Sequence, residues 1–507
     1  MEKKATIPKI WLCFFPILVL ILSAQPSQKE DFDLPSLYSE AKFPLIAEYL
    51  NNKDYETLTH SEKLLLVECM ARTAQGDEAE EKLNKILADY PPSSETFFTA
   101  GIVYFSKGRL HEASKYLDEA LRLDPDCHKA SLAKVMLHLY FQQYSEAQAM
   151  YEELARKYPE FAKSYLFHLV GIEVYNASRN PMKISELHQK KADEYEEKDK
   201  KLGENYQKTA RLFRKASRAQ TYQLKTQRSM VAMPFAESLD QTPYVTVLLR
   251  IKDKNFKIIL DTGNSAGWMV HSRELNKLLH SKGGGRLMAQ IGTQAGLLYG
   301  HYIYCDQVDF GAVKIDHLVG GYVPKPNATF HDATLNPVFL RNRVMTLDFI
   351  EEKLIIRTKE RFNKDLNSAA FDQSEHFTEL PWYGYEHVFI PVSAEGEKPV
   401  IAMIETGAED IALRLNFARK HRLPLEPKLK YLGTGEIVHY FKTPVKISAG
   451  DFHFNRNAAD VWPLDRFYDR ITGFAPDVII GPSALKERFS LSFNPFEKKI
   501  VLADISY

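Results

Sequence analysis

The chain has 507 residues, which is enough for about three domains of ordinary size. Hydrophobic residues make up 45% and charged residues 26% of it, which excludes a mainly disordered, collagen-like or multi-span membrane protein. Lys and Arg total 66, as do Asp and Glu, so no global charge draws the protein to nucleic acid or membrane. Four cysteines and no Cys-x-x-Cys pair argue against a disulfide scaffold and against a zinc site of that kind.

The first 24 residues have the order of a secretory signal peptide. Three lysines precede an apolar run over residues 10–22, and Ala24 precedes a polar stretch, so cleavage is expected after Ala24. The run is shorter than the ~20 residues that a spanning helix needs. We therefore expect an exported protein, periplasmic or extracellular. Leu22 is larger than the residue preferred three positions before a cut, so an uncleaved N-terminal membrane anchor stays open.

A 34-residue period begins near residue 60. It is carried by the following prolines and alanines: Pro91, Pro125, Pro159, Ala79, Ala113 and Ala147. Small residues let two helices approach closely, and a proline ends the second helix of a pair. We predict three repeats, 60–93, 94–127 and 128–161, that resemble the tetratricopeptide (TPR) family. A helical cap over 25–59 and a capping helix to residue 180 would flank them.

Such arrays usually present a concave face to a peptide, so we expect a protein partner there. The alternative is that the array only packs against the following domain. Residues 181–229 are polar and helix-prone, which predicts a charged helical linker. Between Asn205 and Arg228 there are seven basic residues and no acidic ones, which indicates a solvated helix face and leaves contact with anionic lipid head groups open.

From about residue 230 the sequence changes to short β-branched runs separated by Gly, Asn and Asp, which is typical of all-β structure. Two stretches of it are alike. Each has an apolar run, an acid-Thr-Gly triplet and, at a matched offset, a second apolar segment: Asp261-Thr262-Gly263 with Leu335-Asn336, and Glu405-Thr406-Gly407 with Ile480-Gly481. We predict a duplication with one half at 230–360 and the other at 375–507.

An apolar strand that ends in Asp-Thr-Gly, followed by a further apolar strand and an apolar-apolar-Gly element, resembles the pepsin/retropepsin-like aspartic proteases. The resemblance covers about 230–507, and an unrelated duplicated β-barrel is the alternative. The predicted fold class is multidomain α plus all-β: an N-terminal TPR α-solenoid, then a duplicated, two-lobed pepsin-like β-barrel domain. Because one chain supplies both lobes, the site needs no second copy.

The resemblance implies hydrolysis of a peptide bond by a water held between two carboxylates, those of Asp261 and Glu405. Two like charges a few ångström apart share one proton. The ionised acid takes a proton from water, and the protonated acid polarises the carbonyl. The resemblance also implies that the catalytic loops are supported, by Thr residues across the lobe interface and by tight turns, through six residues: Thr262, Gly263, Thr406, Gly407, Asn336 and Gly481.

Two departures from the family bear on activity. Glu405 stands where the family has Asp, and its extra methylene moves the carboxyl by roughly 1.5 Å. A misplacement of about 1 Å can cost on the order of a hundredfold in rate. Asn336 stands where the first half should have Gly. Two functions therefore stay open: an exported aspartic endopeptidase whose TPR array recruits a protein substrate or partner, and a catalytically impaired peptide-binding module on a TPR scaffold.

The remaining motifs limit the cofactors. The stretch from Gly283 to Tyr302 is a candidate flap over the cleft, and it lacks the strand–loop–helix frame of a phosphate-binding loop. The sixteen histidines include no His-Glu-x-x-His pattern. We expect no metal, no cofactor and no nucleic acid partner, with a peptide or protein substrate in the interlobe cleft. If the pair of acids works, activity should peak below neutral pH and be lost in Asp261→Asn.

Overall fold

The computed structural model of the chain describes residues 33–217, 222–251, 254–265, 267–279, 282–283, 291–293, 296–298, 300–310, 312–323, 331–367, 377–394, 400–431, 437–462, 469, 471–486 and 489–504. The predicted signal peptide lies outside these residues, and so does much of the predicted flap. No helix within the described ranges is both long enough and apolar enough to cross a membrane.

A helical repeat region over residues 34–216 comes first. Thr59, Ser93 and Ser164 each accept a hydrogen bond from the first turn of the helix that follows, which fixes where three of the helices begin. The helices are α1 Leu34–Ser39, α2 Phe43–Asn51, α3 His60–Arg72, α4 Gly76–Asp89, α5 Ser94–Ser106, α6 Leu110–Leu123, α7 His128–Tyr140, α8 Tyr144–Lys157, α9 Tyr165–Ala177, α10 Pro181–Tyr195 and α11 Lys200–Ala216, with short 3-10 turns at Tyr55–Thr57 and Phe161–Lys163.

The helices alternate between two kinds of burial. The first helix of each pair, α3, α5, α7 or α9, is buried on most of its surface. The second helices α4, α6 and α8 bury one stripe, and the stripe includes Ala79, Ala113 and Ala147 of the 34-residue period. Gly101 packs directly against Leu117 of its partner helix. Small residues at these positions therefore let each pair of helices pack closely.

The segment over 181–229 packs more closely than a solvated linker would. Helices α10 and α11 lie in it, and both bury one face. Leu212 and Phe213 belong to the same hydrophobic core as the repeats, and the Phe213 ring lies 5.5 Å from that of Tyr302 in the β-rich region. The basic residues Lys208, Arg211, Arg214 and Lys215 thus lie on α11 beside a buried stripe that joins the array to the strands.

A β-rich region of curled sheets follows. The strands of its first half are β1 Gln223–Lys225, β2 Met230–Pro234, β3 Thr246–Ile251, β4 Lys254–Leu260, β5 Trp268–Val270, β6 Lys282–Gly283, β7 Ile291–Thr293, β8 Gly296–Leu298, β9 His301–Asp309, β10 Lys314–Tyr322, β11 Ala333–Leu335, β12 Val344–Asp348 and β13 Lys353–Arg357. Those of its second half are β14 Phe377–Pro381, β15 Val388–Ala394, β16 Val400–Ile404, β17 Ala412–Arg414, β18 Glu426–Tyr431, β19 Ile437–Ala449, β20 Phe452–Trp462, β21 Val478–Ile480, β22 Phe489–Asn494 and β23 Lys499–Asp504. Short α-helices accompany them in the described residues: α12 Arg273–Leu278, α13 Lys359–Leu366 and α14 Leu415–Lys420.

Strand order is the same in the two halves. One sheet runs β3-β4-β11-β5-β10-β9-β6, and the other runs β15-β16-β21-β17-β20-β19-β18. In each, the strand before the acid pairs in parallel with a later strand, β4 with β11 and β16 with β21. A third sheet, β14-β23-β22-β12-β13-β2, takes three strands from each half. The duplicated sequence thus corresponds to a duplicated topology, with the two halves joined through a shared sheet.

The array is packed against the β-rich region through the turns between its paired helices. The turns carry residues with positive φ at Ala74, Gly108, Gln142 and Arg179. The Ala74 carbonyl accepts from Arg414, and a Cβ on Gly108 would lie 2.8 Å from the Phe474 ring. The side chains of Gln142 and Arg179 donate to the carbonyls of Trp382 (2.8 Å) and Phe339 (2.6 Å). Successive repeats therefore contribute one contact each to a continuous interface.

The chain also covers the face formed by the first helices of the pairs. Tyr38 of α1 donates to Glu68 of α3 at 2.6 Å, and Glu68 accepts from Arg72 at 2.8 Å. Arg72 in turn donates to the backbone carbonyl of Ile471, which belongs to the β-rich region. Gly473 lies against the backbone of α3 so closely that a Cβ there would overlap it. This part of the array is occupied by segments of the same chain.

Candidate active site between the two β-rich halves

The two acidic residues occupy equivalent places in the two halves. Asp261 directly follows β4, and Glu405 directly follows β16. Their backbone amides donate to the last residue of the neighbouring parallel strand, from Asp261 to Leu335 at 2.9 Å and from Glu405 to Ile480 at 3.0 Å. Parallel pairing thus sets both acids at the same end of their strands.

Two threonines join the acidic loops to each other. The amide of Thr262 donates to Oγ1 of Thr406 at 3.1 Å, and the amide of Thr406 donates to Oγ1 of Thr262 at 3.0 Å. Each hydroxyl then donates across the interface, to the Ile404 carbonyl at 2.7 Å and to the Leu260 carbonyl at 2.6 Å. Both side chains are buried. These four reciprocal bonds fix the two loops face to face.

The glycines after the threonines bring the carboxylates together. A Cβ built on Gly263 would lie 2.7 Å from Oε1 of Glu405, and one built on Gly407 would lie 2.5 Å from Oδ1 of Asp261. Each carboxylate therefore rests over the glycine of the opposite loop, where any larger residue would displace it. The amide of Gly263 also donates to Oδ1 of Asp261 at 2.9 Å.

The two acids differ electrostatically. Burial, and then the negative charge of Asp261, raise the pKa of Glu405 to about 8. An acid with this pKa holds its proton at neutral pH.

Tyr244 and His387 flank the pair at equivalent positions. Tyr244 precedes Val245, which pairs with Leu260, the last residue of β4. His387 precedes Val388, which pairs with Ile404, the last residue of β16. Burial, and then the charges of Glu409, Asp261 and Glu405, raise the pKa of Tyr244 to about 12. His387 Nδ1 lies 3.2 Å from the Thr262 carbonyl, and burial lowers the pKa of its imidazole. Nothing local in the sequence marks a Tyr or His before a strand, so neither residue could be predicted as part of the site.

Asn336 and Gly481 lie at equivalent places and serve different purposes. The Asn336 amide donates to the carbonyls of Asn264 (3.0 Å) and Glu386 (2.6 Å) and more weakly to that of Thr262 (3.3 Å), while its Oδ1 accepts from Val338 at 2.9 Å. It therefore brings a side chain against the backbone of the loop that carries Asp261. At Gly481 the Asp410 backbone would lie 2.9 Å from a Cβ, so that turn admits no side chain.

A group of acidic side chains lies where the array meets this site. Glu173 of α9 accepts from Tyr385 Oη at 3.0 Å, and Tyr140 donates to Asp469 at 3.0 Å. Burial, and then the charge of Asp469, raise the pKa of Glu173 to about 7; burial and Glu173 raise that of Glu386 well above its ordinary value. The described residues include no group of three or more His, Cys, Asp or Glu that could hold a metal ion.

Comparison with known proteins identifies part of this architecture. The tetratricopeptide repeat family matches residues 94–127, which confirms that predicted repeat and defines the helical region as one that contains a TPR unit. No curated protein matches the chain. Among solved structures, the crystal structure of basic 7S globulin from soybean covers 55% of this chain and 97% of its own, with 10% identity and a TM-score of 0.30. So low a similarity carries no argument about fold or activity.

Proposed function

We propose that the chain is an exported aspartic endopeptidase, with a two-lobed, pepsin-like domain formed by residues 230–360 and 375–507. Residues 1–24 would be its signal peptide and 25–229 its helical part. The observation that carries the proposal is the reciprocal bonding of Thr262 and Thr406, which sets the carboxylates of Asp261 and Glu405 side by side. Two carboxylates that share a proton are the arrangement that activates water for peptide hydrolysis.

The unequal acids suggest a division of roles. Asp261, ionised, would take a proton from the attacking water as its oxygen bonds to the scissile carbonyl carbon. Glu405, whose pKa is raised to about 8, would donate its proton to the carbonyl oxygen as the tetrahedral intermediate forms. Because Glu405 loses that proton near pH 8, we expect the rate to fall as the pH rises through about 8. The active range therefore extends to neutral pH, beyond the acidic optimum expected from the family resemblance.

The TPR array would be held in place by its contacts with the peptidase domain. TPR units are protein-interaction modules, and in this chain the first helices of the pairs already contact α1 and the segment around Ile471. A protein partner at that face would have to displace these segments. We propose that the array chiefly holds the two halves and forms one side of the approach to the carboxylates, with any protein partner bound on its remaining surface.

The test is cleavage of a peptide library by the full chain from pH 3 to 9, beside Asp261→Asn and Glu405→Gln. We expect cleavage that both substitutions abolish and that declines above about pH 8. Glu405→Asp tests whether the longer acid is required at this position. The shorter side chain withdraws the carboxyl by roughly 1.5 Å from the position that Gly263 accommodates, so the rate of this variant should fall. Peptides bound without turnover at every pH would favour the impaired peptide-binding module instead.

A further inference from the structure

A large cavity adjoins the loop that carries Asp261. Its volume is about 1110 Å³, and it lies between helices α9–α11 and the first β-rich half. Ser265, two positions after Gly263, belongs to its wall, as does Glu386, whose neighbour His387 contacts Thr262. Sites for small ligands measure roughly 300–1,000 Å³, so this cavity has room for several residues of an extended peptide.

Two arginines stand in the cavity wall, one from the array and one from the β-rich region. Arg179 donates to the Phe339 carbonyl at 2.6 Å; Arg341 donates to the carbonyls of Ala177 at 2.8 Å and Tyr385 at 2.7 Å. Backbone carbonyls orient both guanidinium groups without neutralising them. Neither forms an ion pair with a carboxylate among the residues that the structure describes.

The two guanidinium groups repel each other, and no carboxylate of the described residues forms an ion pair with either. Burial, and then the charge of Arg341, lower the pKa of Arg179 to about 10, so Arg179 stays charged at neutral pH and the two guanidinium groups repel each other. Glu386 also belongs to the cavity wall; burial and the charge of Glu173 raise its pKa, and the charge of Arg341 acts against them. An anionic ligand would relieve the repulsion between the two guanidinium groups.

Two buried imidazoles, those of His168 and His188, also belong to the cavity wall. His188 is 5% exposed, and within the described ranges neither of its ring nitrogens has a hydrogen-bond partner. Its ring lies 5.7 Å from that of His168 and 5.8 Å from that of Tyr206. Burial lowers the pKa of His188 to about 4, so the imidazole is neutral and adds no charge to that of the two arginines.

We propose that this cavity binds the part of the substrate next to the scissile bond, and that Arg179 and Arg341 bind a carboxylate on it. The carboxylate belongs either to an Asp or Glu side chain or to the C-terminus of the peptide. The inference rests on the proposed peptidase function and names its substrate class, an acidic peptide. Guanidinium forks match carboxylates in geometry, and such charge-assisted bonds are about twice as strong as neutral ones.

Arg179 can be replaced without adding backbone strain. Its φ is +55°, a conformation that Asn and Gly adopt readily, so Arg179→Asn removes the guanidinium without adding backbone strain. Arg179→Gly is the second variant, should Asn not fold. Arg122→Gln is the matched control, because Arg122 is an exposed arginine of α6 that pairs only with Glu119 in the described residues.

The experiment uses the full chain with Asp261→Asn, which keeps bound peptides intact. A random decapeptide library is passed over it, retained peptides are sequenced, and the best one is synthesised with Glu or Gln and with a free or amidated C-terminus. We expect an acidic form to bind at least about tenfold more tightly than its neutral counterpart, a preference that Arg179→Asn removes and Arg122→Gln keeps. Loss on Glu→Gln assigns a side-chain carboxylate, and loss on amidation assigns a terminal one.

Two results would overturn the inference: equal affinity for acidic and neutral forms, or no retained peptide. Its failure differs from that of the peptidase proposal. Charge-selective binding without cleavage by the unmodified chain would keep this site and refute the peptidase, whereas cleavage with no charge preference would do the reverse.

Discussion

Replacing Asn336 with Gly should weaken the protein, although it makes the first half match the second. The family resemblance marks Asn336 as a lost glycine, so Asn336→Gly looks like a repair. In the structure the side chain is fully buried and bonds to three carbonyls and one amide, which belong to the Asp261 loop, to Glu386 and to Val338. Glycine would leave these groups without their partner.

The expected loss follows from those contacts. Each protein hydrogen bond contributes about 1 kcal/mol, and a buried group left unpaired costs about 1–3 kcal/mol. The bond to Thr262 is long at 3.3 Å, so three good bonds are lost, and glycine adds roughly 0.5–1 kcal/mol of backbone entropy. We expect the free energy of unfolding to fall by roughly 3–5 kcal/mol, which lowers the Tm of a chain of this length by about 5 °C. A loosened Asp261 loop should also lose on the order of tenfold to a hundredfold in rate.

The assay is thermal unfolding by circular dichroism together with kcat/KM on the best library peptide. Asn342→Gly is the control: Asn342 makes two bonds, to the backbone of Leu224 at 2.9 and 3.3 Å, and should lose about half as much stability with no change in rate. A variant Asn336→Gly whose Tm stays within about 2 °C of the unmodified chain, with an equal or higher rate, would refute the reasoning.

Two further predictions concern the acids. The folded pKa of Glu173, about 7, lies above its ordinary 4.5, so its contribution to stability is full below pH 4.5 and is lost as the pH rises through 7. Glu173→Gln should therefore flatten the fall in Tm between pH 5 and 8, whereas the exposed Glu119→Gln should not; equal slopes would contradict this. Gly407→Ala places a methyl 2.5 Å from Asp261 Oδ1 and should reduce kcat about a hundredfold with little change in Tm. Gly321→Ala is its control, since no described atom lies within 4 Å of a Cβ there, and a similar loss in both variants would refute the steric account.

The repeats could be predicted because their signal is local and periodic. Small residues such as Ala113 and Gly101 recur where helices cross, and the structure buries them there. The side of the array that the chain itself covers could not be predicted. The contacts of Gln142 and Arg179 join residues 240 and 160 positions apart, and the sequence around a turn does not reveal what a long side chain will reach.

The sequence motifs predict the two acidic residues of the site, but they do not predict the residues around them. Asp261 and Glu405 come at the ends of apolar strands, and parallel pairing then brings each to an equivalent position. Tyr244 and His387 reach the same place through strand register alone, which depends on long-range pairing. The role of Asn336 could not be predicted for a similar reason, because its bonds to the Asp261 loop and to Glu386 join residues that are far apart in the sequence.

The unequal acids and the unequal Asn336/Gly481 pair are best understood together. Both loops are held alike through Thr262 and Thr406, each of which bonds to the opposite half. Here Asn336 fixes the Asp261 loop to the carbonyl of Glu386, which belongs to the half that bears Glu405. The Asp261 loop thus has a bond to the opposite half in addition to those of the threonines, while the other loop meets Gly481, a turn that admits no side chain. An added bond on this side is a way to hold the shorter acid opposite the longer Glu405, so we expect Asn336 to position Asp261 as well as to stabilise the fold.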